Sequence, residues 1–171
     1  MFTQAKNILR NPMVETGVKI ITVPDLRWKR RDIKSVSRLA QVLAEQAAAE
    51  AGAFEAWMVE DGYVTEGSST TAFIITSGGK IVTRPLSHSV PPGITRQSLL
   101  RLAEERALTI EERPFTVEEA LDATEAFLTS ATSYVLPIVV IDGQFVSDGR
   151  PGEMTRRLRQ VYLAMACDSG S

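Results

Sequence analysis

Lys34 stands just after a run of four cationic side chains, Arg27, Lys29, Arg30 and Arg31. Crowding by like charge disfavours an ammonium ion, so a lysine in that company can present a nucleophilic amine near neutral pH and condense with an aldehyde to a Schiff base. Charge alone fits another account better, in which the run is a solvated face or a patch for a phosphate backbone. Glu66, in Val64-Thr65-Glu66-Gly67-Ser68-Ser69, lies at a strand end followed by small polar residues. A carboxylate buried there and held by neighbouring donors can bind a protonated ring nitrogen, whereas a solvated loop glutamate is the commoner use of such a position.

Two stretches suit an anion. Gly93-Ile94-Thr95 opens a helix, where unpaired backbone N–H groups and a partial positive charge meet, although a plain helix cap has the same sequence. Ser130 to Ser133 follows a strand and offers hydroxyls and backbone donors to a phosphate, or forms no more than a polar loop. His88, the one histidine, sits in a proline-rich connection without a second ligand at metal-binding spacing, so no metal site is expected. Neither a Walker loop nor a G-x-G-x-x-G after a strand is present, and Gly78-Gly79 reads as a turn.

The elements that must hold these residues alternate between strand and helix. Val18 to Thr22 alternates as a strand and ends at Pro24-Asp25. Val36, Leu39, Ala40, Leu43 and Ala47 keep helical spacing up to about Glu50, with Gly52 as the stop. Phe54–Val59, Tyr63–Thr65, Thr71–Thr76 and Lys80–Thr83 are short β-prone runs separated by Asp61-Gly62 and Ser77-Gly78-Gly79, which predicts a small antiparallel sheet in the middle of the chain. After the Pro85–Pro92 connection comes a helix with Leu99, Leu102 and Ala103 on its apolar face. Ile110–Pro114, Glu125–Ser130 and Val135–Ile141 read as extended, and Thr116–Leu121 as a short helix. Beyond Gly149-Arg150-Pro151-Gly152 the spacing predicts a last helix, with Met154, Leu158, Val161, Tyr162 and Met165 opposite Arg156, Arg157, Arg159 and Gln160.

A chain of 171 residues is long enough for one packed core. With 44% hydrophobic and 23% charged residues and a net charge of −2, no global field draws it to nucleic acid or to a membrane. The single Cys167 makes no internal disulfide, and no run of about twenty apolar residues spans a bilayer, so a cytoplasmic setting is expected. A nucleic-acid role for Arg27–Arg31 would lack stacking platforms beyond Trp28.

Taken in order, Arg27-Trp28-Lys29-Arg30-Arg31-Asp32-Ile33-Lys34, Glu50-Ala51-Gly52-Ala53-Phe54-Glu55-Ala56, Val64 to Ser69 and Pro92-Gly93-Ile94-Thr95-Arg96 resemble successive signature blocks of the class IV (fold type IV) aminotransferases. Glu111 to Thr116, Phe127-Leu128-Thr129-Ser130 and Asp148 to Gly152 continue the likeness, which runs from about Asn11 to Met165. Among the branches, the blocks around Lys34, Glu66 and Thr95 are most similar to the D-amino acid aminotransferases. The resemblance implies a mixed α/β fold, a curved sheet or barrel-like core flanked by helices, over residues 18–168. Residues 1–17 would be a linker or remnant of an N-terminal domain, and 169–171 a tail. It implies pyridoxal 5′-phosphate (PLP) as cofactor, held by Lys34 through its amine, by Glu66 at the pyridine nitrogen, and by Ile94, Thr95, Ser130 and Thr132 at the phosphate. Lys34 would also shuttle the α-proton, while an amino acid and a 2-oxo acid exchange an amino group in ping-pong fashion.

The family also implies a homodimer and a smaller N-terminal domain that grips the cofactor phosphate and the substrate carboxylate. This chain is expected to lack that domain, so a catalytically impaired remnant or PLP-binding scaffold is a second reading. A branched-chain aminotransferase or an aminodeoxychorismate lyase-like activity on the same fold is a third. Within the remaining half, Thr71 and Ser37 stand where the family usually has asparagine, Pro91 replaces an apolar residue behind the cofactor ring, and Ala131 replaces a threonine at the phosphate.

Overall fold

The computed structural model describes residues 11–88 and 90–168, the last two by their backbone alone. Most of the expected 1–17 linker, the 169–171 tail and the Cys167 side chain lie outside the described residues. A short helix, α1 (Met13–Thr16), precedes strand β1 (Val18–Pro24). Helix α2 (Leu39–Glu50) then crosses to β2 (Glu55–Glu60), which pairs with β1 in parallel; parallel neighbours need such a crossover. Asp61 and Gly62 take φ of 53° and 82° in the two-residue turn to β3 (Tyr63–Gly67), the left-handed geometry that matches strand twist. The chain continues through β4 (Thr71–Ile75), β5 (Ile81–Thr83), α3 (Ile94–Glu105), β6 (Ile110–Glu112) and α4 (Val117–Leu121). It ends with β7 (Glu125–Ser130), β8 (Tyr134–Ile141), β9 (Gln144–Phe145) and α5 (Glu153–Asp168).

The strands form one mixed sheet in the order β3-β2-β1-β8-β7-β4-β5-β6, with β9 added to β8. The separate antiparallel sheet expected over 54–83 is not what forms. Its two hairpins stand apart, because β1 takes parallel partners on both sides, β2 and β8, so that β1, β8 and β7 come between them. The sheet curls. At one end of the path the Val64 N–H donates to the Phe115 carbonyl at 3.0 Å, and Tyr63 bridges Thr116, just beyond the strand at the other end. The curved, barrel-like core implied by the family resemblance is therefore present.

Among the described residues three apolar clusters hold this arrangement. Ile20, Trp57, Val64, Ile74, Leu128, Leu136 and Ile138 fill one face of the curl, where Trp57 meets Phe115 edge to face with centroids 5.8 Å apart. On the other face, Phe73 and Phe127 stack at 4.8 Å beneath Leu99 and Leu102 of α3 and Leu158 and Tyr162 of α5. A smaller cluster lies under α2, and here the expected helix face is wrong. Ala44 and Ala48 are buried, while Leu39 and Leu43 are 72% and 53% exposed and Val36 lies outside the helix. Small residues let the helix approach β1 and β2 closely, which turns the leucines outward. Arg159 departs from expectation in the opposite sense. It is buried, and its guanidinium donates to the carbonyls of Ser133 (2.7 Å) and Val135 (2.8 Å), tying α5 to the turn before β8.

The Thr116 hydroxyl accepts the Glu119 N–H at 3.1 Å and caps α4. Thr116→Ala is expected to lower stability by about 1 kcal/mol, read as a shift of the urea midpoint without change of slope. Among the described residues no helix is long and apolar enough to cross a membrane.

Candidate functional site

Residues 25–38 have no regular structure, yet their backbone is pinned on both sides. The Asp25 N–H donates to the Val59 carbonyl (2.8 Å), and the N–H groups of Arg31 and Asp32 donate to the His88 carbonyl (2.7 and 3.3 Å). Lys34 leaves this segment exposed, on the wall of a cleft of about 790 Å3. Glu66, Ile94, Thr95 and Ser130 line the same cleft, so five of the six residues singled out by sequence come together. Thr132 is not on the wall. The 130–133 turn presents Ala131 there instead and leaves Thr132 exposed, its hydroxyl 3.3 Å from that of Ser130.

The like-charge crowding inferred around Lys34 is not what the fold builds. Arg27 is paired with Asp25 and Glu66, Arg31 and Lys29 with Glu60, and Arg30 with Asp32. Each cation of the run thus has a carboxylate partner. Their role is architectural: Arg31 is buried and its two terminal nitrogens grip both Glu60 oxygens at 2.7 and 2.8 Å. Bonds from Arg31 first, and then from Lys29, hold the Glu60 carboxyl down at about 2. These contacts fasten the lysine-bearing segment to β2.

Glu66 sits on β3, buried, with its carboxylate against the Arg27 guanidinium. Burial pushes its pKa up to about 7, and the charge of Arg27 and its hydrogen bond pull the other way without winning. Asp25, half-buried as a residue but with its side chain enclosed, accepts from the Arg27 side chain and from the Thr65 hydroxyl (2.6 Å). Burial alone would raise this carboxyl, but the bonds from Arg27 and Thr65 outweigh it and leave the group below its ordinary value. The two carboxylates that share one guanidinium therefore differ in charge behaviour: Asp25 is a fixed anion, and Glu66 is poised to take or lose a proton near neutrality.

The other side of the cleft suits an anion. Helix α3 begins at Ile94 after an extended Gly93, and no side chain among the described residues caps it, so its first-turn N–H groups can serve a ligand or water. Ser130, the last residue of β7, lines the same cleft, and its hydroxyl also accepts the Ser133 N–H at 3.1 Å. The wall between holds two buried hydroxyls without a hydrogen-bond partner among the described residues, those of Thr70 and Thr129. Sequence reading assigned neither. The pairing of Thr71 with Thr129 across β4 and β7 carries Thr129 to the cleft, and no local signal announces that register. An amine, a buried carboxylate that titrates near neutrality and an uncapped helix start on one cleft match the three parts of a pyridine aldehyde phosphate: carbonyl, ring nitrogen and phosphate.

Comparison with known proteins points the same way. The family model for amino-transferase class IV matches residues 1–141. The chain is 43% identical over 145 residues to the D-alanine aminotransferase of Bacillus licheniformis, covering 85% of this chain and 51% of that protein. It is 39% identical over 149 residues to the D-alanine aminotransferase of Staphylococcus aureus strain COL, covering 87% and 52%. A solved T.th. branched-chain amino acid aminotransferase, complexed with N-(5′-phosphopyridoxyl)-L-glutamate, matches with a TM-score of 0.80 at 30% identity, over 88% of this chain and 52% of that one. The branched-chain enzyme of Escherichia coli matches with a TM-score of 0.78 at 25% identity, over 91% and 54%. The chain spans about half the length of the relatives it matches.

Proposed function

The chain belongs to the class IV aminotransferase family, and from that membership we propose that it forms the lysine-bearing side of a PLP site that moves an amino group from a D-amino acid to a 2-oxo acid. The observation that carries this reading is the meeting of Lys34, Glu66, the start of α3 and Ser130 on one cleft. When bound, PLP supplies an aldehyde for amine capture and a protonated ring that withdraws electrons from the substrate's Cα–H bond.

Lys34 provides the capturing amine, and its exposure leaves it free to change partners when a substrate amine arrives. Once released, that amine would be placed to act on the substrate α-proton, first as general base and then as general acid. Glu66 holds the ring nitrogen in its protonated form. Its carboxylate, whose ionised form burial resists and Arg27 favours, would be favoured further by a protonated ring nitrogen. The first turn of α3, with Thr95, and the Ser130 hydroxyl hold the phosphate and keep the ring from sliding.

The identity to two D-alanine aminotransferases favours a D-amino acid. The match to branched-chain enzymes supports a second reading with the same chemistry on a branched-chain amino acid. The deciding experiment gives PLP-loaded protein one equivalent of D-alanine, D-glutamate or L-leucine and measures oxo acid formed in the half-reaction. Oxo acid from the D-isomers supports the first reading and from leucine the second. Pyruvate released from aminodeoxychorismate without amino transfer points to a lyase, and cofactor binding without any half-reaction to a scaffold.

Ala131 lies on the wall beside Ser130 and brings no hydroxyl to the phosphate. Ala131→Thr is expected to tighten PLP binding by about tenfold, the effect of one added charge-assisted hydrogen bond. Fluorescence titration of the two proteins with PLP checks it.

A further inference from the structure

Glu55 opens β2 and is buried, at the start of a strand whose first four residues are all enclosed. Among the described residues its carboxylate pairs with no cation. It accepts hydrogen bonds instead. Oε1 receives the N–H of Ala56 (2.9 Å), the N–H of Ser68 (3.2 Å) and the Ser68 hydroxyl, while Oε2 receives the N–H (3.4 Å) and hydroxyl (3.3 Å) of Ser69. Four of these five donors belong to two consecutive residues of the turn that joins β3 to β4.

A carboxylate removed from water is tolerated only when its oxygens are met by donors, and this one is met almost wholly by the turn. The turn is fitted to it in return. Gly67 donates to the Thr70 carbonyl at 2.8 Å, and a Cβ at position 67 would run into the Thr70 hydroxyl and lie 3.2 Å from the Glu55 carboxylate. Glu66 immediately precedes this turn, and every residue from 66 to 71 lines the cleft. On the other side Glu66 is held, among the described residues, by Arg27.

We propose that Glu55 is a positioning residue of the cleft: its buried carboxylate clamps the 67–70 turn and thereby sets the place of the Glu66 carboxylate against the ring nitrogen of bound PLP. The proposal rests on the PLP reading of the site given above. Glu55 is not on the cleft wall and acts through Ser68 and Ser69.

The test titrates PLP into the full chain, followed by absorbance, for the unaltered protein, Glu55→Gln, the double variant Ser68→Ala/Ser69→Ala, and Leu158→Ala. The last is a core change on α5 that reports what loss of stability alone does. Glu55→Gln and the double variant are expected to weaken PLP binding by about tenfold or more, the loss of an anchoring hydrogen-bond set. Leu158→Ala, at an equal or lower melting temperature, keeps the unaltered affinity. Unchanged affinity in the first two, or an equal loss in Leu158→Ala, overturns the proposal. A second measurement needs no cofactor: the Glu66 side-chain carbon shift is titrated by NMR, with a midpoint near the value of about 7 expected for the unaltered chain. In Glu55→Gln the loosened turn admits water to Glu66 and the midpoint falls toward that of an ordinary glutamate, whereas an unmoved midpoint overturns the clamp. If the unaltered chain takes up no PLP, the cofactor reading fails and the NMR titration judges Glu55 alone. Should Glu55→Gln not fold, the serine double variant carries both measurements with the same expectations.

Discussion

Lys34→Ala is expected to abolish covalent capture of PLP: no visible absorbance of lysine-bound cofactor, no label after borohydride reduction, and turnover lower by at least about a thousandfold. The size follows from the two tasks resting on one amine, the linkage to the aldehyde and the movement of the α-proton. Stability should hardly change, because Lys34 is exposed, and surface substitutions of that kind stay within about 0.5 kcal/mol. Thermal melts of the variant therefore separate lost chemistry from lost fold. Lys29 is the internal control. It is also exposed but is engaged by Glu60 at 2.6 Å, so Lys29→Ala should retain the label. Labelling of Lys34→Ala to the same extent as the parent would show that another amine captures the aldehyde and would remove the central residue of the assignment.

What was legible in the sequence had local causes. Asp61-Gly62 marked a turn because both residues adopt left-handed φ, which these types tolerate. Helices α3 and α5 announced themselves by apolar spacing, and their apolar faces cover the stacked Phe73 and Phe127. The order of the strands was not legible, since the parallel pairing of β1 with β8 joins residues far apart in the chain, such as Val18 and Ile138. The face of α2 was misjudged for a related reason. Hydrophobicity marked Leu39 and Leu43, but closeness to the sheet selected Ala44 and Ala48.

The site divides in the same way. Lys34, Glu66, Ile94, Thr95 and Ser130, which line one cleft, could be singled out because each lies in a short block of recognisable composition. The pairing of the basic run was missed because two of its carboxylates, Glu60 and Glu66, come from other strands, while Asp25 and Asp32 only flank or interrupt the run. Glu55 had a signal that went unread: one acid heading an otherwise apolar run, Ala56 to Val59, in a strand enclosed on both faces. An acid in that setting must be met by donors from elsewhere, and the serines after Glu66 were the candidates at hand.

Stability of the unliganded chain is expected to fall as the pH rises from about 4.5 to about 7, because of Glu66. Burial raises this carboxyl from 4.5 to about 7, against the opposing pull of Arg27. Between those values the folded chain holds a proton that the unfolded chain has released, so each rise in pH favours unfolding. The stabilisation is complete below the unfolded pKa and lost as pH passes through the folded one. Two and a half units at about 1.4 kcal/mol each give a loss on the order of 3 kcal/mol. The charged neighbours that face Glu66 do not reverse the sign in this window. Asp25 is held below its ordinary value and has already ionised, and Arg27 keeps its charge throughout. Urea unfolding at pH 5 and at pH 7.5 reads the difference, and Glu66→Gln should flatten it, since its amide carries no titrating proton. Saturating PLP should flatten it as well, because a ring N–H would give the ionised Glu66 a second donor beside Arg27. A pH slope that survives in Glu66→Gln would assign the titration to another group and leave Glu66 as an ordinary buried ion-pair partner of Arg27.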